Sequence, residues 1–550
     1  MVAPKNLSIY LCSLLLILSP PAFSFNAFLV QSANYSLLNE HIVDVSHGNV
    51  SDLRLNMSIP LDAEIILSSY PYTRENDTLS NPYISVLADH PQMPFNFSAY
   101  MKVRTNATSI KSLPALYSIP DEYAPFLAST QRVPSDDLQI KKIALGAVAG
   151  EQSDFEKISA LAYWVHSYVN YNLSYVNQNQ SVYDILSGRY GVCGDYSLLF
   201  ATLSRSLGYP TRFVNGYAYS SVQQEWVGHA WNEVYIGEWV PVDATWLEVG
   251  SLDATHVPVS KLDTDSYSLA SVSALVYPQD AKLFWQGVNQ LRNVPANNLM
   301  VEGSYSLAPE QNFQASISNE RIGAGQNFIV YLKYPAHDYR ILRAYLAPCT
   351  SDSGGIVDFE QKEQWAPTKP GQASYLIWEG KSHSDIEQNV RYRCPLTINT
   401  DYLEKATVVV EVQILGENPQ PPEAAASKSE VSSSQLQSIN VQADKNSQTA
   451  YMVENGLFDT KALDENGAAT FEFFASKPGR HTAYVWTDAS PPAIVHYGVS
   501  GSSSTPLFEI KELPSYIQGE QALVKINFNA DSNESLGGKI LRWSWANQSG

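Results

Sequence analysis

The sequence predicts a multidomain protein in which one α+β domain is flanked by β-sandwich modules of the Ig-like type. The chain has 550 residues, more than a single hydrophobic core accommodates. Short runs of alternating apolar and polar residues, separated by turn residues, dominate the chain before residue 135 and after residue 300. Between these regions apolar residues recur at helical spacing, and strand-like runs follow, which favours an α+β domain there.

The N-terminus has the pattern of an export signal. Lys5 supplies a positive charge, residues 7–18 form an apolar run, and Ala22-Phe23-Ser24 has the spacing of a cleavage site. The run is shorter than the roughly 20 residues that span a bilayer. We therefore expect residues 1–24 to be a signal peptide and the protein to be extracellular or on the cell surface. A membrane would be reached only through an uncleaved signal or a lost C-terminal anchor.

Charge and glycosylation motifs agree with export. The formal net charge of −20 argues against nucleic acid as a partner. Asn-x-Ser/Thr motifs are frequent after the signal, which is typical of a glycosylated surface protein. They begin at Asn34, Asn49, Asn56, Asn76, Asn96, Asn106, Asn172, Asn179, Asn533 and Asn547.

The first two domains are predicted from periodicity. Alternating runs predict strands at 36–45, 53–59, 63–68 and 95–103, and therefore an N-terminal β domain over residues 25–135. The pattern Ser153-x-x-Glu156 is a capping box that opens a helix, and shorter helices are expected after Ser181 and over 197–207. Strands are expected at 211–219, 229–236 and 239–242. These elements define the α+β domain, residues 136–260.

The C-terminal half predicts further β modules. Strand-like runs place a β-sandwich at 300–416, another sandwich module at 438–505 and a partial module at 506–550. Residues 417–437 are rich in Pro, Ala, Ser and Glu, which predicts a flexible linker. Cys349 and Cys394 lie in one predicted sandwich and could form a disulfide, which would leave Cys193 unpaired in an exported protein.

Cys193 lies in a sequence suited to nucleophilic chemistry. It belongs to Gly191-Val192-Cys193-Gly194-Asp195-Tyr196-Ser197, directly before a predicted helix. The N-terminal end of a helix favours a thiolate, and its free N–H groups could hold an oxyanion. Glycines beside the sulfur, such as Gly194, would allow a substrate backbone to approach. Asp195 is a candidate to shape the site, or to be structural by pairing with Arg212.

A histidine and an aspartate complete a candidate triad. His229 opens one predicted strand, and Asp243 ends the next, with a tight turn between them. Adjacent antiparallel strands can place both side chains at one end of a sheet. The imidazole would then accept the thiol proton, and the carboxylate would orient the ring. An alternative role for Asp243 is the capping of a turn.

Five motifs in this region occur in the order found in the transglutaminase-like core superfamily, which the chain resembles over about residues 150–250. They are Trp164-Val165 in a helix, Gly-x-Cys-x-Asp-Tyr-Ser, Leu-Gly-Tyr-Pro-Thr-Arg at 207–212, His-Ala-Trp-x-Glu at 229–233 and Trp-x-Pro-x-Asp-x-Thr at 239–245. The resemblance implies a papain-like fold and a Cys193, His229, Asp243 triad. The β domain before it looks like that of secreted archaeal relatives.

The resemblance implies thiol acyl transfer on amide bonds, without a cofactor. The partner would be a protein or peptide substrate, for example part of a cell-surface polymer. Eukaryotic cross-linking members carry Gly-Gln-Cys-Trp, whereas this chain has Gly-Val-Cys-Gly around Cys193. Hydrolysis by a peptidase or amidase and transfer to an amine therefore both stay open.

Other interpretations stand beside this one. The fold could serve as a noncatalytic scaffold of a surface or adhesion protein, although the intact triad argues against it. Trp231, beside His229, is a candidate to line a substrate groove, whereas Glu233 and Glu248 could be carboxylates that support the triad from behind but are expected to be exposed. Histidines are scattered and no Cys-x-x-Cys pair occurs in the sequence, so no metal is expected.

Overall fold

The computed structural model describes residues 30–500 apart from short gaps, together with four short strands beyond residue 500. The gaps are at 177, 221–222, 224, 266–269, 293–305, 308–312, 350–354, 402–404, 415–418 and 445–446. The predicted signal peptide, Asn533 and Asn547 lie outside the described residues. Within the described parts of the chain, no helix has the length and apolar character needed to cross a membrane.

The N-terminal domain is a sandwich of two antiparallel sheets, but it is not continuous in sequence. Ala270–Tyr277 pairs with Asn49–Ser58, and Leu283–Arg292 pairs with Val30–Val45, so the chain returns to this domain after leaving it. One sheet holds Val30–Val45, Ala63–Ser68, Phe95–Asn106, Leu283–Arg292 and Ser306–Leu307. The other holds Asn49–Ser58, Thr73–Asn76, Pro82–Ala88 and Ala270–Tyr277. The expected boundary at residue 135 therefore omits two strands.

The α+β domain forms around helix α4. Its helices are α1 (Leu138–Ala147), α2 (Asp154–Tyr168), α3 (Val182–Gly188) and α4 (Cys193–Ser206). The antiparallel sheet consists, in spatial order, of Glu248–Val249, Trp239–Asp243, Glu225–Tyr235, Thr211–Ser220 and Val257–Leu262. Short 3₁₀ segments occur at Asp121–Leu127 and Leu173–Tyr175. Two small pairs join Thr108–Ser109 to Ser251–Leu252 and Asn170–Tyr171 to Tyr190–Gly191.

Sequence and structure agree on the helices of this domain with two differences. The Ser153 and Glu156 capping box forms as expected. Helix α4 begins at Cys193, four residues earlier than predicted, because the Asp195 side chain accepts a hydrogen bond from the Val192 N–H and caps the first turn. Helix α1 was not predicted; Asp137 caps it, and Ile140 and Ala144 provide its buried face.

A second sandwich follows the α+β domain. One sheet contains Gln314–Ile317, Asn327–Pro335, Val357–Phe359 and Ala373–Ser382. The other contains Arg321–Gly323, Arg340–Ala347, Glu363–Thr368, Arg391–Thr400 and Lys405–Gln413. The disulfide between Cys349 and Cys394 is present, as predicted, and lies at the core of this module.

The prediction of a flexible linker at 417–437 is wrong for the residues of this segment that the structure describes. Glu423–Ala426 and Glu430–Ser432 are strands, and a third strand begins at Leu436. Ala424 and Ala426 pack against the core, and Val431 is buried in it. Small apolar residues at alternate positions are enough for an edge strand, although the overall composition resembles a linker.

These strands belong to a third sandwich, which therefore begins before the expected residue 438. One sheet contains Glu423–Ala426, Leu436–Gln442 and Ala468–Phe474. The other contains Glu430–Ser432, Thr449–Glu454, Leu457–Ala462, Gly479–Thr487 and Ala493–Ser500. In the predicted partial module, the structure describes Phe508–Ile510, Ile526–Phe528, Ser544–Trp545 and Gln548–Ser549.

The C-terminal sandwiches contact the α+β domain away from Cys193. Tyr163 of α2 stacks on Trp365 with ring centroids 4.1 Å apart, and Phe155 packs against Tyr339 at 4.9 Å. Glu151 forms an ion pair with Lys477 of the third sandwich. These contacts attach the two sandwiches to α2 and to the segment before it.

Candidate active site

Cys193 is the first residue of α4 and the one free cysteine among the described residues. Val192 before it is extended, and its carbonyl accepts from the Asp195 N–H at 2.8 Å, whereas the N–H groups of Cys193 and Gly194 precede the hydrogen bonds of the helix. The Ser197 hydroxyl donates to the Trp231 carbonyl at 3.2 Å, which ties α4 to the strand that carries His229. The thiol therefore lies at the positive end of a buried helix, where a thiolate is favoured.

The glycines before and after Cys193 differ in the space that surrounds them. A Cβ added to Gly191 would lie 2.6 Å from the Asp195 Cβ, so only glycine fits beside the capping carboxylate. A Cβ added to Gly194 would meet nothing within 4 Å. The space next to Gly194 is open, which is compatible with the approach of a substrate backbone there.

His229 and Asp243 meet at one end of the sheet. His229 Nε2 lies 2.8 Å from Asp243 Oδ2, and both side chains are buried. Asp243 Oδ1 accepts from the N–H groups of Thr245 at 2.7 Å and Trp246 at 3.3 Å. With Nε2–H donated to the carboxylate, Nδ1 is the nitrogen left to exchange a proton with the thiol. Asp243 therefore caps the turn with one carboxylate oxygen and contacts His229 with the other, so the two roles considered for it occur together.

The electrostatics favour a charged pair. Burial lowers the pKa of His229, but the Asp243 carboxylate and a hydrogen bond with Cys193 outweigh it and raise this pKa to about 9. For Asp243 burial acts in the opposite direction, yet His229 and His256 hold its pKa far below the usual range. An imidazolium between a carboxylate and a thiol stabilises the thiolate by direct attraction.

Aromatic rings enclose His229. The indole of Trp246 stacks on the imidazole with ring centroids 4.2 Å apart and planes inclined by 10°. Trp231 lies further away, at 5.9 Å, and is only 2% exposed in a small core with Val214 and Leu252. The expectation that Trp231 lines a substrate groove is therefore wrong, because its side chain points into the core. Trp246, partly buried, is the ring that covers the imidazole.

The charged residues around the site pair differently from expectation. Arg212 pairs with Glu233 and not with Asp195. Glu233 also receives Lys261 at 3.0 Å, so it is not an exposed carboxylate. Asp195 caps α4, and burial raises its pKa. Register decides these pairs, because Arg212 and Glu233 are directly opposed on neighbouring strands.

Three buried residues lie behind Asp243; the sequence did not point to Asp253 and His256, and it named Glu248 only as an alternative to an exposed position. His256 Nε2 lies 3.3 Å from Asp243 Oδ2, and Glu248, expected to be exposed, is buried. The atoms of His229, Asp243 and His256, and those of Glu248, Asp253 and His256, each lie within 4.8 Å of one another, as metal ligands could. The sequence signal was a dense run of Asp, Thr and His between two short strands, with no spacing typical of a site.

An aromatic and apolar surface borders the nucleophile. The strand Asn170–Tyr171 pairs in parallel with Tyr190–Gly191, which leads directly into Cys193. Tyr171 is 49% exposed, and burial, followed by the charges of Cys193 and Asp243, raises its pKa to about 12. Tyr175 stacks on Tyr190 with ring centroids 6.1 Å apart. Solvent-accessible rings next to the sulfur form a surface to which a polypeptide can bind.

Comparison with known proteins agrees with the fold of this region. Residues 141–244 match the model of the transglutaminase-like superfamily. This part of the chain is thus a transglutaminase-like domain, and β-rich modules surround it. A search of curated proteins finds no match to the chain.

Among solved structures, the chain is similar to a protein of Cytophaga hutchinsonii assigned as a cysteine protease. The identity is 20%, with 51% of this chain and 99% of that chain covered and a TM-score of 0.34. It is also similar to red sea bream transglutaminase, at 10% identity, with 85% and 95% covered and a TM-score of 0.17.

Proposed function

We propose that this protein is an exported thiol enzyme that forms an acyl-enzyme on amide bonds of proteins or peptides. The observation that carries the proposal is the His229–Asp243 contact of 2.8 Å beside a cysteine at the start of a buried helix. An unpaired cysteine hydrogen-bonded to a histidine of raised pKa is a nucleophile prepared for attack.

In the acylation step, the Cys193 thiolate attacks the carbonyl carbon of the amide, and a C–S bond forms. The N–H groups of Cys193 and Gly194, in the first turn of α4, are the donors that would receive the oxyanion. The His229 imidazolium then gives its proton to the amide nitrogen, the C–N bond breaks, and an amine leaves. A thioester on Cys193 and a neutral imidazole remain.

In the second step, water or a primary amine attacks the thioester, and His229 takes the proton from the attacking group. The C–S bond breaks and the thiolate returns with the imidazolium. Water yields a carboxylic acid, whereas an amine yields a new amide. The open space at Gly194 and the tyrosines near Cys193 support a polypeptide substrate, for example at a cell surface.

Thiol reactivity tests the triad without knowledge of the substrate. The rate of alkylation of Cys193 by iodoacetamide near pH 7, followed by peptide mass spectrometry, should exceed that of a model thiol, and His229→Ala should abolish the excess. If Cys193 reacts no faster than the model thiol and His229→Ala changes nothing, the noncatalytic scaffold is the better account.

A second experiment addresses the chemistry. The protein is incubated with a glutamine-containing peptide, with and without a primary amine, and released ammonia and peptide products are measured. A thioester on Cys193, trapped by acid and identified by mass spectrometry, is the expected intermediate. Amine incorporation would assign transfer, whereas acid products in the presence of amine would assign hydrolysis.

A further inference from the structure

The residues behind Asp243 form a buried polar group that the acyl-transfer steps do not use. Glu248, Asp253 and His256 are 6%, 5% and 5% exposed. Glu248 belongs to the short strand Glu248–Val249, and Asp253 and His256 lie between Ser251–Leu252 and the strand that begins at Val257. Burying a carboxylate costs free energy unless the group is paired. Two carboxyl groups beside one buried histidine therefore need a physical explanation.

His256 bridges two carboxylates. Its Nε2 lies 3.3 Å from Asp243 Oδ2, the same oxygen that contacts His229 Nε2, and its Nδ1 lies 3.4 Å from Asp253 Oδ2. The Nε2 contact is a hydrogen bond, whereas Nδ1 faces Asp253 at ion-pair distance without hydrogen-bond geometry. Although burial lowers the pKa of His256, Asp253 and Glu248 raise it well above the usual value. The carboxylates on its two sides thus favour the protonated, positively charged form of His256.

The surrounding groups hold this arrangement in place. Asp253 Oδ1 accepts from the Thr255 N–H at 2.6 Å, and the Asp253 N–H donates to Glu248 Oε2 at 3.3 Å. Burial and the neighbouring Asp253 charge raise the pKa of Glu248.

The titratable groups that face His256 are thus Asp243, Asp253, Glu248 and His229. From Cys193 inwards, histidines alternate with groups that can carry negative charge: Cys193, His229, Asp243, His256 and Asp253. Each histidine thus lies between two such groups, an order that lowers the cost of burying charge here.

We propose that His256, held by Asp253, is a positioning residue that orients the Asp243 carboxylate and limits how strongly it retains the proton of His229. The inference rests on the proposed thiol chemistry. His229 must release its proton to the leaving amine, and an imidazole bound too tightly to an unshared carboxylate would retain it. A second donor on Asp243 Oδ2, bearing positive charge, weakens that retention and fixes the rotation of the carboxylate.

The two effects can be separated by substitution. His256→Gln keeps a donor towards Asp243 but removes the positive charge, whereas His256→Phe removes both. Asp253→Asn removes the charge that keeps His256 protonated. A matched control is His481→Gln, because His481 is also a buried histidine in contact with a carboxylate, Glu454, but in another domain.

The experiment measures the alkylation rate of Cys193 in the full chain by iodoacetamide between pH 4 and pH 10, resolved by peptide mass spectrometry. Two steps are expected: formation of the thiolate–imidazolium pair at low pH and loss of the His229 proton at high pH. In His256→Gln the upper step should move to higher pH by about 0.5 to 1 unit, because a nearby cation is gone.

The other variants test the charge of His256 and its hydrogen bond to Asp243 separately. Asp253→Asn should shift the upper step in the same direction as His256→Gln, and His481→Gln should leave both steps in place. His256→Phe should lower the rate at pH 6 about tenfold, because a rotated carboxylate no longer supports the pair. Thermal unfolding identifies folded variants, and Asp253→Asn serves if His256→Gln does not fold.

The inference is overturned if folded His256→Gln and Asp253→Asn keep the pH steps of the parent protein. It is also overturned if the purified protein holds one equivalent of a divalent metal that is lost on Glu248→Gln and His256→Gln, since His256 would then be a ligand. Failure of the proposed function looks different: Cys193 of the parent protein would alkylate like a model thiol, and His229→Ala would change nothing.

Discussion

Replacing Asp243 by Asn tests the charged pair most directly. Asparagine is nearly isosteric, so the backbone turn at Thr245 can persist, but the negative charge that faces His229 is removed. His229 is fully buried, and burial by itself lowers its pKa. Without the carboxylate, nothing of comparable strength offsets that loss of hydration, and the imidazole should become neutral at pH 7.

The magnitude follows from the pKa of His229. The rise from 6.5 to about 9 corresponds to about 3 kcal/mol in favour of the imidazolium. Losing that amount returns the pKa of His229 to about 6.5, which cuts the imidazolium fraction at pH 7 about fourfold, and the burial of the ring cuts it further. Asparagine can also accept or donate, so the ring loses its fixed tautomer and a further decrease is expected.

The assay is the pH dependence of Cys193 alkylation by iodoacetamide in Asp243→Asn and the parent protein. The parent should react faster than the variant at pH 6 to 7, because its His229 imidazolium assists the sulfur there and the neutral ring of the variant does not. Glu454→Gln, which removes a carboxylate from a buried histidine in another domain, is the matched control. Identical profiles for the parent and a folded Asp243→Asn would refute the charged pair.

Three further outcomes are expected. Gly191→Ala should lower the unfolding free energy by about 1–3 kcal/mol, because its Cβ would press on Asp195, whereas Gly194→Ala should keep the stability of the parent in thermal denaturation. The double substitution of Cys349 and Cys394 by Ser should cost about 2–4 kcal/mol in denaturant unfolding and leave the alkylation of the remaining thiol unchanged. Hydrogen bonding to Glu454 raises the pKa of His481, so the pair stabilises its module fully below pH 6.5 and progressively less as the pH rises through the pKa of His481 in the folded protein. Hydrogen exchange of the strand Gly479–Thr487, corrected for the intrinsic effect of pH, should therefore be slower at pH 6 than at pH 9. The substitution His481→Gln should remove this difference.

Local signals explain what could be predicted. The capping box at Ser153, the helix that follows Cys193 and the paired strands of His229 and Asp243 are all encoded within short windows of sequence. The ordered motifs of the α+β domain pointed to the same three side chains that the structure brings together. Strand periodicity likewise sufficed for the sandwiches, although not for the strands at 423–432, whose composition resembles a linker.

What the sequence by itself determined is the chemistry that the chain can offer: a lone thiol at the start of a helix, followed by a histidine and an aspartate on adjacent strands. Only the tertiary structure decided which other groups reach them. Strand register paired Arg212 with Glu233, and the bend after Glu248 carried His256 back onto Asp243. Periodicity reports which face of an element is buried, but contacts between side chains depend on how separate elements cross, and that geometry forms only when the core packs.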